Sequence, residues 1–270
     1  MIRLRHDCRS AFAENSFRDC SICRESLIAA SNEFSTSRKK WALDFATQKD
    51  HESEELIVKS IRELRPGDAI IGEEGANQES STGFTWIIDP IDGTVNYLYG
   101  LPGWCISIAI QDKNGTLVGV VHAPSLNLTW SAIRGQGSIC NGEPIRCNDS
   151  VPLNRALIGT GFSYDIGARS KQGEFIKYLV AKVRDFRRMG ACAADICQVA
   201  SGALDAHFEA GVNLWDFAAA SLIAREAGAK FLAVSGVPDG DKHFVLVAGP
   251  DLYRELGAEI IAHGGWISAI

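Results

Sequence analysis

The chain has 270 residues, 46% of them hydrophobic, with 33 acidic against 27 basic residues for a net charge of −6. That length supports one large domain or two small ones around a real core. The acidic balance and the lack of a long basic run argue against a nucleic-acid surface, and no apolar run approaches the roughly 20 residues needed to span a bilayer.

Residues 1–16 are charged throughout and have neither clear periodicity nor the apolar stretch of a signal peptide. A helix is expected over about 17–34, with Ile22, Leu27 and Ile28 inward, followed by a polar, basic loop over 35–40. A second helix is expected over about 51–64, with Leu56, Ile57 and Ile61 inward, stopped by Pro66-Gly67. Ala69 to Gly72 reads as a short strand leading into Glu73-Glu74. Phe84 to Ile88 reads as a buried strand, which brings Asp89 and Asp92 out at its end. Strands are expected over 105–111, 117–123 and 128–133, with hairpin signals at Asn114-Gly115 and Asn141-Gly142.

The second half alternates. Strands are expected over 156–161, 185–189, 204–209, 230–234 and 243–248. Helices are expected over 169–183, 193–201 and 216–227, and from an Asp251 N-cap to about Ala262. The boundary falls near 148–152, giving an N-terminal α+β half, 1–148, and a C-terminal α/β half, 149–270.

The chemistry concentrates in Asp89-Pro90-Ile91-Asp92-Gly93-Thr94. Carboxylate oxygens suit hard cations such as Mg²⁺. Proline stiffens the turn and holds both carboxylates and a backbone carbonyl in one arrangement. Gly93 and Thr94 can open a helix whose free N–H groups face an anion. Glu73-Glu74 forms a second acidic strand end, and two such ends side by side would repel unless cations lay between them. Ordinary turn chemistry accounts for parts of this string but not for all of it.

Other candidates are plainer. Asp216 before an Ala-rich helix reads, taken alone, as an N-cap. Asp44, Asp50, Lys39 and Lys40 read as surface charge. The six histidines show no ligand-like spacing and receive no role. Cys20 and Cys23 form one C-x-x-C that no second pair completes into a zinc site, so the eight cysteines read as reduced thiols of a cytoplasmic protein. The chain has no G-x-S-x-G elbow, Walker loop or G-x-G-x-x-G, which disfavours a covalent-nucleophile hydrolase or an ATP user.

Gly72-Glu73-Glu74, the run Trp86 to Tyr97 and Trp215-Asp216 together resemble the signatures of the inositol monophosphatase family, over about 44–249. Arg187 to Gly190 and Leu204 to Glu209 resemble its second-domain motifs. The resemblance implies a layered αβαβα sandwich of the sugar-phosphatase type, combining α+β and α/β halves, in a homodimer with no membrane or nucleic-acid partner. It implies a lithium-sensitive phosphatase using two or three Mg²⁺ ions to hydrolyse a phosphate monoester, myo-inositol monophosphate foremost. Fructose-1,6-bisphosphate, histidinol phosphate and other sugar phosphates stay open, as does a non-catalytic phosphate-binding regulator.

By the same resemblance, Glu73, Asp89 and the Ile91 carbonyl would bind one ion, and Asp89, Asp92 and Asp216 a second, with Glu73 also touching a third. Thr94, supported by Asp50, would activate the attacking water alongside Glu73. Gly93 and Thr94 would hold the phosphate. Asp92, Cys192, Ala193, Glu209 and Asp216 would face the substrate, with Lys39 on a nearby loop. The chain departs from the family in having Ala191-Cys192 after Gly190, where a small hydroxyl residue and alanine are usual. That change bears on substrate preference.

Overall fold

The computed structural model describes residues 43–236 and 242–266, with side chains from Gln48 onward. The expected helix over 17–34, the loop with Lys39 and the Cys20–Cys23 pair lie outside the described residues, as does the side chain of Asp44.

Helix α1 spans Leu43–Leu64. It starts earlier than its apolar pattern predicts, because its buried stripe begins with polar side chains. Asp50, Ser53 and Glu54 are buried on it, ahead of Ile57, Val58 and Ile61. A hydrophobic-period reading registers only the apolar part of such a face. Strands β1 (Ala69–Gly72), β2 (Asn77–Gln78) and β3 (Thr85–Asp92) follow, then the short helix α2 (Thr94–Tyr99). Next come β4 (Cys105–Asp112), β5 (Gly115–Ala123), β6 (Leu128–Ile133), β7 (Ser138–Cys140) and β8 (Glu143–Pro144). The second half contains β9 (Leu157–Thr160), α3 (Ile166–Leu179), β10 (Asp185–Arg187), α4 (Cys192–Ala200) and β11 (Ala206–Val212). It ends with α5 (Leu214–Glu226), β12 (Lys230–Ser235), β13 (His243–Ala248) and α6 (Pro250–Glu259).

The described strands form two sheets, in the orders β2-β1-β3-β4-β5-β6-β7-β8 and β10-β9-β11-β13-β12. Three apolar cores separate the layers. Ile57 and Ile61 of α1 pack on Trp86, Ile88 and Ile108, on one face of the first sheet. The other face of that sheet, with Ile87, Ala109 and Val121, packs on α4 and α5, which also meet Val245 and Val247 of the second sheet. The far face of the second sheet, through Phe208, Phe244 and Leu246, is covered by Phe175 of α3, Leu252 and Leu256 of α6, and Trp266. The order is therefore helix, sheet, helix, sheet, helix, a layered α/β sandwich. The middle helices are alanine-rich; α4 buries all of its residues but Gln198, and α5 buries its central run Phe217 to Ala224.

Three expectations need correction. Asp251 is the second residue of α6 and not its N-cap, which is Gly249. The Asp89–Asp92 segment does not lie beyond the end of β3; it is part of the strand, which runs on through Asp92. Pro90 has no N–H to give, so the ladder with β4 breaks after Asp89↔Ser107 and resumes at Asp92↔Cys105. Asp216 is the third residue of α5 and not its N-cap. Asn213 is the N-cap, and its backbone N–H donates to Asp216 Oδ2 at 2.8 Å.

Candidate active site

Strand pairing builds the site. β1 runs parallel to β3 with Gly72 beside Ile88, and the Glu73 N–H donates to the Ile88 carbonyl at 3.2 Å. Glu73 thus leaves β1 next to Asp89, and the two side chains share a hydrogen bond. The bulge at Pro90 puts Asp89, the Ile91 carbonyl and Asp92 on one wall of a cleft of about 300 Å³. The far wall comes from the second half of the chain: Cys192, Glu209, Asn213 and Asp216, with Arg188 and Lys242.

The two walls are joined directly. Asp92 Oδ1 accepts from the Cys192 N–H at 3.2 Å and Oδ2 from the Ala193 N–H at 2.6 Å. These are free N–H groups of the first turn of α4, whose own N-cap, Ala191, has no side chain to satisfy them. Asn96 of α2 donates to the Met189 carbonyl at 2.7 Å and makes a second tie. Between these ties sits Gly93, in the left-handed region at φ 88°. A Cβ there would come within 3.0 Å of the Gly190 carbonyl oxygen and the Ala191 Cβ. Only glycine allows both the turn and the close approach.

The electrostatics are those of an anion-rich pocket. Asp89 is 2% exposed, and burial followed by the charges of Glu73, Asp92 and Asp216 raises its pKa well above the usual range. Burial pushes Asp92 up to about 7, against the Ala193 N–H that favours the charged form. Burial and the Asp92 charge raise Asp216 well above its ordinary value. Glu73 is also raised, foremost by desolvation of its carboxyl, although the residue as a whole is exposed at the cleft mouth. Carboxylates that repel one another in this way call for positive charge among them. The donors are all oxygen, four carboxylates and the Ile91 carbonyl, which is a set suited to Mg²⁺.

The remaining expected residues divide. Thr94 lines the cleft, and its hydroxyl donates to the Ile91 carbonyl at 3.2 Å. Asp50 does not line the cleft. It is buried in α1 with Oδ1 lacking a partner among the described residues, and burial together with Glu74 and Glu73 pushes its pKa up to about 8. Cys192 and Glu209 line the cleft, and Ala193 contributes its backbone N–H to Asp92. The five described cysteines, Cys105, Cys140, Cys147, Cys192 and Cys197, are all free.

Sequence reasoning missed several residues. Among the described residues, Arg188 and Lys242 are the cations of the cleft wall, and Lys242 Nζ donates to Asn213 Oδ1 at 2.7 Å. Arg188 stands in a motif that carried no role on its own, and nothing local marks Lys242. His207 was passed over as well. It is fully buried, with Nε2 3.4 Å from Glu209 Oε2. Its spacing of two from Glu209 on a strand, which puts both on one face, is the signal that could have found it.

Two sheets layered with helices, and an acidic cleft walled by both halves, define a layered sandwich of the sugar-phosphatase class. The chain belongs to the inositol monophosphatase family, whose model matches residues 14–263. The Inositol-1-monophosphatase SuhB of Mycobacterium tuberculosis is 40% identical over 231 residues, covering 82% of this chain and 80% of its own. The Nus factor SuhB of Pasteurella multocida is 42% identical over 187 residues, 68% of this chain and 70% of its own. Among solved structures, Mycobacterium tuberculosis SuhB superposes with a TM-score of 0.79 at 38% identity, covering 91% of this chain and 96% of its own. Among the described residues no helix is long and apolar enough to cross a membrane.

Proposed function

We propose that the chain is a phosphatase that hydrolyses a small phosphate monoester, with inositol monophosphate as the leading substrate. The observation that carries this reading is the convergence of Glu73, Asp89, Asp92 and Asp216 around the Ile91 carbonyl in one cleft. Those five groups would hold two or three Mg²⁺ ions. When bound, such ions stabilise the charge of the phosphoryl oxygens and lower the pKa of water.

The chain's own residues do the rest. The Thr94 hydroxyl orients the attacking water, with Glu73 beside it. Asp50 serves as proton acceptor behind Thr94, from a helix, α1, that packs on α2. Gly93 and Thr94 offer backbone N–H groups to the phosphate, and Arg188 and Lys242 add positive charge from the opposite wall. Cys192, Ala193, Glu209 and Asp216 face the alcohol. In this reading the half 1–148 supplies most metal ligands and the half 149–270 closes the site. The functional unit is a homodimer, which light scattering tests.

The test is phosphate release from inositol monophosphate, fructose-1,6-bisphosphate and histidinol phosphate, ranked by kcat/KM with and without Mg²⁺. Release that needs Mg²⁺ and is blocked by Li⁺ supports the reading. No release from any ester overturns it.

The Nus-factor name of the Pasteurella multocida relative favours a second reading, in which the chain acts by binding a partner. That role would not need turnover. An Asp89→Asn variant that keeps the cellular role would support it, and one that loses the role along with phosphate release would sink it.

A further inference from the structure

Three side chains of different chemistry meet at the inner end of the cleft. Cys192 opens α4, while His207 and Glu209 lie two apart on β11. His207 Nε2 is 3.9 Å from Cys192 Sγ and 3.4 Å from Glu209 Oε2, and one donor atom from each of the three lies within 4.8 Å of the other two. These spacings approach the edges of a tetrahedron around a cation with Zn–S of about 2.3 Å and Zn–N of about 2.0–2.1 Å.

The second nitrogen of the ring supports the same reading. His207 is fully buried, and among the described residues its Nδ1 has no hydrogen-bond partner. The buried carboxylate of Asp195 stands 3.7 Å from that nitrogen. A buried imidazole with a thiol and a carboxylate at one nitrogen, and a second carboxylate near the other though beyond hydrogen-bond reach, has the donors of a metal ligand and an outer carboxylate that a small shift would bring into partnership. The donor set also differs from the oxygen-only set of Glu73, Asp89, Asp92 and Asp216. Thiolate and imidazole favour Zn²⁺, whereas oxygen ligands alone favour Mg²⁺.

We propose that Cys192, His207 and Glu209 form a Zn²⁺ site whose fourth position opens to the cleft, which both Cys192 and Glu209 line. Binding replaces the Cys192 thiol proton, which leaves to solvent, and the metal is held by Sγ, Nε2 and a carboxylate oxygen. The site stands on its own geometry. Its consequence, that Cys192 and Glu209 are withdrawn from the alcohol when Zn²⁺ is bound, rests on the phosphatase reading.

The test uses the full chain carrying Cys20→Ser and Cys23→Ser, so that the closely spaced pair adds no thiolate. Co²⁺ is titrated in under excess Mg²⁺, and the thiolate-to-cobalt charge-transfer absorption is followed. One equivalent of Co²⁺ should produce the band, and Zn²⁺ should displace it. Cys192→Ser should abolish the band in a protein whose circular dichroism is unchanged. Glu209→Gln, at a partly exposed position, should weaken Co²⁺ binding by at least the roughly tenfold cost of losing even an outer partner. Absence of the band, or a band that Cys192→Ser leaves in place, overturns the site whether or not the enzyme turns over phosphate esters.

Discussion

Asp92 Oδ2 accepts the Ala193 N–H at 2.6 Å, joining two residues 101 positions apart. One carboxylate therefore serves both as a wall of the cleft and as the missing cap of α4. This dual duty predicts a compound defect for Asp92→Asn. The amide keeps the volume but offers only one acceptor atom, so one N–H of α4 loses its partner. Folding stability should fall by about 1–2 kcal/mol, read from the urea midpoint, and phosphate release should be lost as well. A variant as stable as the parent would contradict the capping role.

Asp89 lacks that second duty. It accepts only the Ile91 N–H from the backbone, at 3.1 Å, and is surrounded by carboxylates. Asp89→Asn should therefore abolish phosphate release without loss of folding stability in the absence of Mg²⁺, because it removes a repelling charge. The parent should gain more thermal stability from added Mg²⁺ than the variant does, since binding to the native state alone raises its stability. Equal gains in the two proteins would argue against Asp89 as a ligand.

The raised carboxyls also set a pH dependence. Asp50 and Asp92 are pushed up to about 8 and about 7, against an ordinary value of 3.8. A carboxyl whose folded pKa lies above its unfolded one binds its proton more tightly when folded. Its contribution is fully present below the unfolded pKa and is lost as pH rises through the folded one. Without divalent cations, stability should therefore decline from about pH 4 to about pH 8. Mg²⁺ should flatten that decline by favouring the charged forms. Urea midpoints across this range, with chelator and with Mg²⁺, measure both slopes. A metal-free midpoint that is flat or rises with pH would show that these carboxyls are not raised in the folded state.

Much of the fold was legible because its signals were local. Strands 128–133 and 243–248 lie where the sequence pattern places them, and Asn141-Gly142 makes the turn between β7 and β8, with φ of 50° and 90°. What stayed hidden was set by tertiary contact. The early start of α1 rests on polar residues buried against the site, which no hydrophobic period reveals. The run of β3 through Pro90 depends on its pairing with β4 on the far side of the break. The neighbourhood of Glu73 and Asp89 was readable because each carboxylate follows directly on a buried apolar run, and two acidic strand ends together call for a cation between them. The Asp92–Ala193 bond, Lys242 and the His207 cluster depend on how the two sheets stack around α4, and no local pattern encodes that stacking.

That stacking also leaves room for Glu209, and Gly161 is what provides it. A Cβ at Gly161 would stand 1.8 Å from Glu209 Oε1. The clash falls on the far end of a flexible side chain, so Gly161→Ala should displace the carboxylate and leave the backbone in place. The proposed Mg²⁺ ligands lie on the other wall or on α5 and are untouched. The expected result is a small change in folding stability, within about 1 kcal/mol, and a raised KM with an altered ranking among phosphate esters. An interaction lost equally in ground and transition states raises KM and spares kcat. If the ranking and KM match the parent, Glu209 does not contact the alcohol. If kcat alone falls, the displaced group acts in the chemical step and not in recognition.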